Sequence, residues 1–384
     1  MCYFARHVPS SRVRLLDELK AFNAQPDLGG NDPELRASWY ASHAFTWAAL
    51  RDFDRAYECL ALAHSLAPND SWVLTCESNA LGIADRWSDA LRSAERAWEV
   101  DPGSPFAGNS LGTSLLHLGR VQQSADRLSS AAENSQSYQL VAEACWHQCA
   151  LAETLEGQQR RFVLERTRTL ADKLPGLAPL ADRESRIAFA RANLDIAELA
   201  DDYAGIERWS TQLRSPFHRQ LLRNLNKNTE GKRVRLPFRR TIQTHETCVP
   251  ASISVALSAG GVVISAEEMA AEITFGGTAE WTAADWLRAR GFHVRFFSVT
   301  AELAANLIQL GIAFVMSWEA DESGHAVAAV GLDQRAEALL IHDPQSFRGT
   351  EYLLTILDRN LSPLGIKGMA VVTGDGGMSA ARRR

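Results

Sequence analysis

The stretch "QTHETCVPAS" (243–252) sets Gln243 five positions ahead of Cys248, and Cys248 two ahead of a proline that opens a run of small and apolar residues. Proline is at home in the first turn of a helix, so the stretch predicts a helix over about Pro250 to Ala259. Cys248 then sits at the positive end of that helix's dipole. A free thiol is only a few per cent ionised at neutral pH, and a nucleophilic cysteine needs a helix amino terminus, a nearby imidazolium, or both. Read alone, the stretch serves equally well as an ordinary helix start with a buried thiol.

Downstream, helices are expected near 265–273 and 280–290, followed by short apolar runs rich in β-branched and aromatic residues. These are "FHVRFFSV" (292–299), "IAFVMSWE" (312–319), "HAVAAVGLD" (325–333), "ALLIHD" (338–343) and "GMAVV" (368–372). A helix-rich front followed by an antiparallel sheet predicts an α+β domain. His325 opens one strand just after Gly324. His342 and Asp343 are adjacent in another, where successive side chains point to opposite faces, so the two do not serve one site together. Asp333 shares His325's face by parity, but eight residues of strand put it about 26 Å away. His245, three positions before the cysteine, lacks a rigid support and reads as a surface residue or as one that backs the site from behind. Trp281 and Trp286 in "EWTAADW" read as core residues rather than walls of a cleft.

The ordered set "QTHETCVPAS", "GHAVAAV" (324–330) and "HDP" (342–344) resembles the papain-like cysteine peptidases, and within them the bacteriocin-processing peptidases that cut leader peptides after a double glycine. The resemblance spans residues 236–372. It implies a nucleophile at Cys248, a base at His325, an orienting carboxylate at Asp343 and an oxyanion-hole donor at Gln243, with the backbone N–H of Cys248 as second donor. Members of that branch carry glycine directly after the cysteine. Here Val249 stands there, a β-branched side chain expected beside the path of a substrate backbone. The chain also lacks the phosphate-binding GxxxxGK[ST] loop of a leader-peptide exporter, so double-glycine specificity is not carried over.

Upstream, a different order prevails. Residues 37–70, 71–104 and 105–138 align without gaps on a 34-residue period. Phe53, Trp87 and Val121 coincide; so do Ala56, Ala90 and Ser124, then Leu60, Ala94 and Leu128, then Ala63, Ala97 and Ala131, with Pro68 and Pro102 closing two units. The pattern resembles the tetratricopeptide repeat. Small residues let paired helices approach, bulky ones fill the groove between units, and proline stops the second helix. A fourth unit begins at Gln139 and loses the spacing after "AETLEGQQRR" (152–161); further helices without a clean repeat are expected over 186–213, and one ahead of the array over 12–24. Such hairpins stack into a solenoid whose concave side holds a peptide or partner protein, or else they serve only as scaffold.

The chain is therefore expected to be a multidomain α and α+β protein. An all-α tetratricopeptide-like helical solenoid (1–213) leads into a basic linker or terminal helix (214–235), with nine Lys or Arg between Arg214 and Arg240 against Glu230 alone. A papain-like α+β domain with an antiparallel sheet (236–372) and a glycine-rich disordered tail (373–384) complete it.

At 384 residues with 46% hydrophobic and 22% charged content, composition is that of ordinary globular protein. The net charge of -6 gives no footprint for nucleic acid, no apolar run approaches the roughly 18 residues of a membrane helix, and no export signal is read, so a cytoplasmic location is expected. Cys2, Cys59, Cys76, Cys145 and Cys149 are scattered without zinc or disulfide spacing and read as structural. No metal and no cofactor is expected. The expected activity is hydrolysis of a peptide or protein presented by the repeats; an acyl transferase, cyclase or amidase using the same residues, and a catalytically silent adaptor, are the alternatives.

Overall fold

A computed structural model of the chain describes residues 21, 24, 32–178, 183–320, 323–346, 351–354 and 365–373. The helix expected over 12–24 lies outside the described residues apart from Ala21 and Ala24. So does the tail after Thr373, and Thr373 itself ends a strand. The chain forms two compact units that part between Ile206 and Glu207.

The first unit is helical. Helices α1 (Pro33–Ala49) and α2 (Phe53–Leu66), α3 (Ser71–Ile83) and α4 (Trp87–Val100), α5 (Pro105–His117) and α6 (Val121–Glu133), and α7 (Tyr138–Ala152) and α8 (Gly157–Ala171) form successive pairs. Phe53, Trp87 and Val121, which share one place in the period, each start the second helix of a pair. The period also fixes the turns. Arg51, Asp85 and Gly119, spaced 34 apart, adopt φ of 62°, 60° and 72°. In each turn the left-handed residue donates its N–H three residues back and its successor donates five back, as Gly119 does to Leu116 and Arg120 to Leu115. Side chains at another place of the period vanish between paired helices: Ala56, Ala90 and Ser124 are fully buried. Ala131 departs from the pattern and is half-buried, its neighbour Ala132 taking the inner place. The first helix of each pair packs on the first helix of the next, which is the contact that propagates a solenoid. After α8 come a short turn of helix, α9 (Leu174–Leu177), then α10 (Arg183–Leu199) and α11 (Tyr203–Leu213), within which the unit boundary falls.

A serine–histidine pair is sealed inside this array. Ser124 Oγ donates to the Gly112 carbonyl at 3.2 Å, and so accepts from Nδ1–H of His147 at 2.7 Å. His147 is fully buried, and burial pushes its ring down to about 3. The ring is neutral in the folded chain but takes a proton near pH 6.5 once unfolded. The unfolded state therefore binds more protons below 6.5, and stability is lost as pH falls from there towards 3. At pH 5 the loss from this ring is about 2 kcal/mol. Thermal unfolding followed at pH 7 and pH 5 is expected to show it, and His147→Gln should weaken the acid dependence; an undiminished dependence in that variant would contradict the account.

In the second unit the end of α11 leads into the basic segment. Residues 214–235 hold helix α12 (Pro216–Lys227) and strand β1 (Arg233–Arg235). The Asn224 side-chain amide donates to the Ala336 carbonyl at 2.7 Å and Lys227 pairs with Glu337 at 2.9 Å, which fastens α12 to the turn after β4 (Ser323–Asp333). Arg233 forms a buried ion pair with Asp333 at 2.7 Å. Helices α13 (Cys248–Ala259), α14 (Ala266–Ile273) and α15 (Glu280–Arg288) precede β2 (Phe292–Ser298). Then come α16 (Ala301–Gln309), β3 (Phe314–Ala320), β4, β5 (Ala338–His342), β6 (Glu351–Leu354) and β7 (Lys367–Thr373).

All pairings are antiparallel, in the order β2-β7-β3-β4-β5-β6, with β1 added to the far end of β4. Gly331 lets that addition happen: a Cβ there would collide with the Val234 carbonyl. One sheet face, with Val315, Ala326, Met369 and Val371, packs under α13, α14 and α15; the other, with Met316, Val327, Ala329, Leu339 and Ile341, packs against α16. Helix α16, β1 and β6 were not anticipated. In α16, Ala304 and Ile308 face the core one turn apart, and the Thr300 hydroxyl caps the Leu303 N–H at 3.1 Å.

Candidate active site

Helix α13 starts at Cys248, two residues ahead of the expected start, and residues 249–257 are buried. A helix apolar on all sides belongs in a core, and this one lies across β4. Its first turn is reached through a tight loop. The Thr244 N–H donates to the Thr247 hydroxyl at 2.9 Å, the Thr247 hydroxyl donates to the Thr244 carbonyl at 3.1 Å, and Glu246 takes φ 60° between them. Cys248 is half-buried, unlike Cys76, Cys145 and Cys149, which are buried, and its amide is among the first-turn N–H groups that have no acceptor within a helix.

Strand parity explains the other side of the site. Leu339 and Ile341 of β5 face the same core as Val327 and Ala329 of β4, so Asp343 and His325 project to one side and His342 to the other. Accordingly His325 Nε2 lies 2.9 Å from Asp343 Oδ1, with side chains 13% and 5% exposed. The same Oδ1 accepts the Gln345 N–H at 2.9 Å. His342 is fully buried and donates from Nε2 to the Thr241 carbonyl at 2.9 Å, beside Phe238.

With Nε2 taken by Asp343, Nδ1 is the ring nitrogen left for Cys248. Burial alone would lower the His325 pKa, but the hydrogen bonds and charges of Asp343 and Cys248 outweigh it and raise the ring to about 9. At neutral pH the imidazole is therefore a cation held between a carboxylate and the thiol at the head of α13. The Gln243 N–H donates to the Pro344 carbonyl at 2.9 Å, which lashes the loop ahead of the cysteine to the residue after Asp343. The side-chain Oε1 of Gln243 is buried without a hydrogen-bond partner. Gln243, Cys248, His325 and Asp343 are thus joined by short links in one place.

Other expectations are relocated. Val249 is 6% exposed and packs with Ile253 and Leu257 in the core rather than standing open beside the cysteine. Trp281 is 71% exposed, not core, whereas Trp286 packs partly on the core and donates to Glu272 at 2.9 Å. His245 is exposed, with Nε2 3.3 Å from Glu246, and Asp333 is committed to Arg233. Sequence reasoning missed Trp318. It is the cross-strand partner of His325, 8% exposed, with its ring edge-on at 5.9 Å. Its signal is the register of β3 against β4, which two apolar runs do not disclose. The array holds a Ser–His–carboxylate grouping of its own, Ser124 and His147 with Glu143 at 3.9 Å. Its serine and histidine are fully buried, and the Ser124 proton is spent on a backbone carbonyl, so it is a packing feature. Among the described residues no group of three or more His, Cys, Asp or Glu is arranged to hold a metal ion, and no helix is long and apolar enough to cross a membrane.

No curated protein matches the chain. Among solved structures it is similar to PilW, a widely conserved type IV pilus biogenesis factor, at 15% identity and TM-score 0.35, over 54% of this chain and 85% of that one. It is also similar to MamA AMB-1, at 13% identity and TM-score 0.29, over 46% of this chain and 91% of that one. Residues 234–359, the stretch that holds Gln243, Cys248, His325 and Asp343, match the model of the Peptidase_C39 like family, a match that supports a peptidase-like fold for that stretch.

Proposed function

We propose that the chain is a cysteine peptidase in which Cys248 is the nucleophile, His325 the acid and base, Asp343 the group that orients the ring, and Gln243 with the Cys248 amide the oxyanion donors. The observation that carries the reading is the His325 imidazole, buried between Asp343 and the thiol that heads α13. The Cys248 sulfur attacks a peptide carbonyl carbon, and the developing oxyanion is met by the two donors. His325 passes its proton to the departing amine as the C–N bond breaks, leaving a thioester. It then takes a proton from water, whose oxygen attacks the thioester and releases the acid and the thiolate. No cofactor enters this sequence. The division of labour proposed is a repeat array (1–213) that presents a peptide or protein and a catalytic domain (236–372) that cuts it.

Full-length Cys248→Ala is expected to be inactive in proteolysis and to lose the fast-reacting thiol, while retaining an intact substrate in a pull-down that wild type releases as fragments. Equal behaviour of the two proteins in proteolysis and in mass-mapped thiol labelling would end the proposal. Products of unchanged total mass, joined rather than split, would replace hydrolysis by acyl transfer.

A further inference from the structure

We propose that Ser252 is a positioning residue that sets the placement of Cys248 against His325; this rests on the cysteine-peptidase reading above. Residues four apart on a helix lie one above the other on the same face, so Ser252 sits one turn behind Cys248 on the side the thiol uses. Ser252 is fully buried, and its hydroxyl donates to the Ala326 carbonyl at 3.0 Å. Ala326 immediately follows His325. The bond therefore closes a small circuit: thiol, one turn of α13, hydroxyl, the peptide unit next to the base, and the imidazole.

Two features give the bond this role. The other serines of α13 bond elsewhere: Ser254 donates to the Ile264 carbonyl at 2.8 Å, in the chain beyond the helix, and Ser258 donates to the Val255 carbonyl at 2.7 Å, within the helix. Apolar packing of α13 on the sheet also tolerates small sliding and rotation, because dispersion and burial are non-directional. A hydrogen bond between a short hydroxyl and one named carbonyl is directional and resists both. Loss of an ångström of registry at a reacting pair costs up to about a hundredfold in rate.

The test uses full-length wild type, Ser252→Ala, Ser254→Ala and Ser252→Thr. The rate of Cys248 alkylation by iodoacetamide is followed from pH 5 to 10 by mass mapping of the peptide that contains it, alongside thermal unfolding. Ser254→Ala removes a comparable hydroxyl-to-carbonyl bond from the same helix and controls for lost stability. Ser252→Ala is expected to slow Cys248 alkylation at pH 6 by about tenfold or more and to replace the profile of a paired thiol by the single rise of a free one. Ser254→Ala should stay within about twofold of wild type, and Ser252→Thr, which keeps the hydroxyl, should recover most of the rate. If wild-type Cys248 reacts fast and Ser252→Ala matches Ser254→Ala in rate and profile, the positioning role is overturned and the nucleophile stands. A wild-type Cys248 no faster than a free thiol overturns the nucleophile, and this role with it. Should Ser252→Ala fail to fold, a folded Ser252→Thr with the free-thiol profile overturns the proposal, and one with the wild-type profile supports it.

Discussion

Full-length His325→Ala is expected to lose about three to four orders of magnitude in kcat/KM, and Asp343→Asn about two to four, with both proteins folded. In the proposed mechanism the ring carries two proton transfers, to the amine and from the water, so its removal stops both halves of the reaction. Asp343 acts through the ring. An amide in its place accepts more weakly and withdraws the negative charge that helps hold the imidazolium at a pKa of about 9. The pH dependence follows with a definite sign. A raised histidine pKa means that the stabilisation gained from its partners is fully present below about 6.5 and is lost as pH rises through about 9. The protonated ring is the acid for the leaving amine, so activity should fall on the alkaline side near pH 9. In Asp343→Asn that limb should move towards neutral pH. A profile of kcat/KM against pH, on a peptide recovered with Cys248→Ala, checks both statements. An alkaline limb that stays at 9 in Asp343→Asn would show that the carboxylate does not govern the ring.

Gly112→Ala is expected to destabilise the helical array by about 3 kcal/mol, the upper range for forcing a methyl into a filled core. A Cβ at this position would stand 2.5 Å from His147 Cε1 and 2.8 Å from Leu128 Cδ1. Neither neighbour has room to retreat, since both side chains are fully buried and the His147 ring is fixed by Ser124. The same period has Ala44 and Ser78 at this place, both buried. Glycine is required in the third unit because the fourth supplies an imidazole there. Thermal unfolding of Gly112→Ala against wild type measures the effect. A double variant with His147→Ala should recover part of the loss; no recovery would place the strain elsewhere.

How much of this was legible beforehand differs between the two units, for a physical reason. The array is built from local contacts that recur at one spacing, so Phe53, Trp87 and Val121, aligned by the period, all fall at the start of the second helix of a pair, and the spacing lost after residues 152–161 follows the longer turn before Gly157. The fourth hairpin's reach into the third, through His147, lies outside any single repeat. In the second unit, cysteine, histidine and aspartate were readable as types in an order, and strand parity correctly separated His342 from Asp343. What alternation does not supply is registry between distant strands or the rotation of a helix above a sheet. Trp318 opposite His325, Ser252 under Ala326, and the inward turn of Val249 all depend on those two quantities. Helix α16 escaped because its nine residues lie between two strongly apolar runs and offer barely two turns of pattern.

The left-handed turns at Arg51, Asp85 and Gly119 make the first unit additive. Since each hairpin turns on the same backbone conformation and touches mainly its neighbours in the array, a 34-residue block can be duplicated or excised without changing the phase of the rest. Gene segments of this length can therefore lengthen or shorten the array while residues 243–344 keep their own geometry, so the length of the helical array and the arrangement around Cys248 can evolve independently.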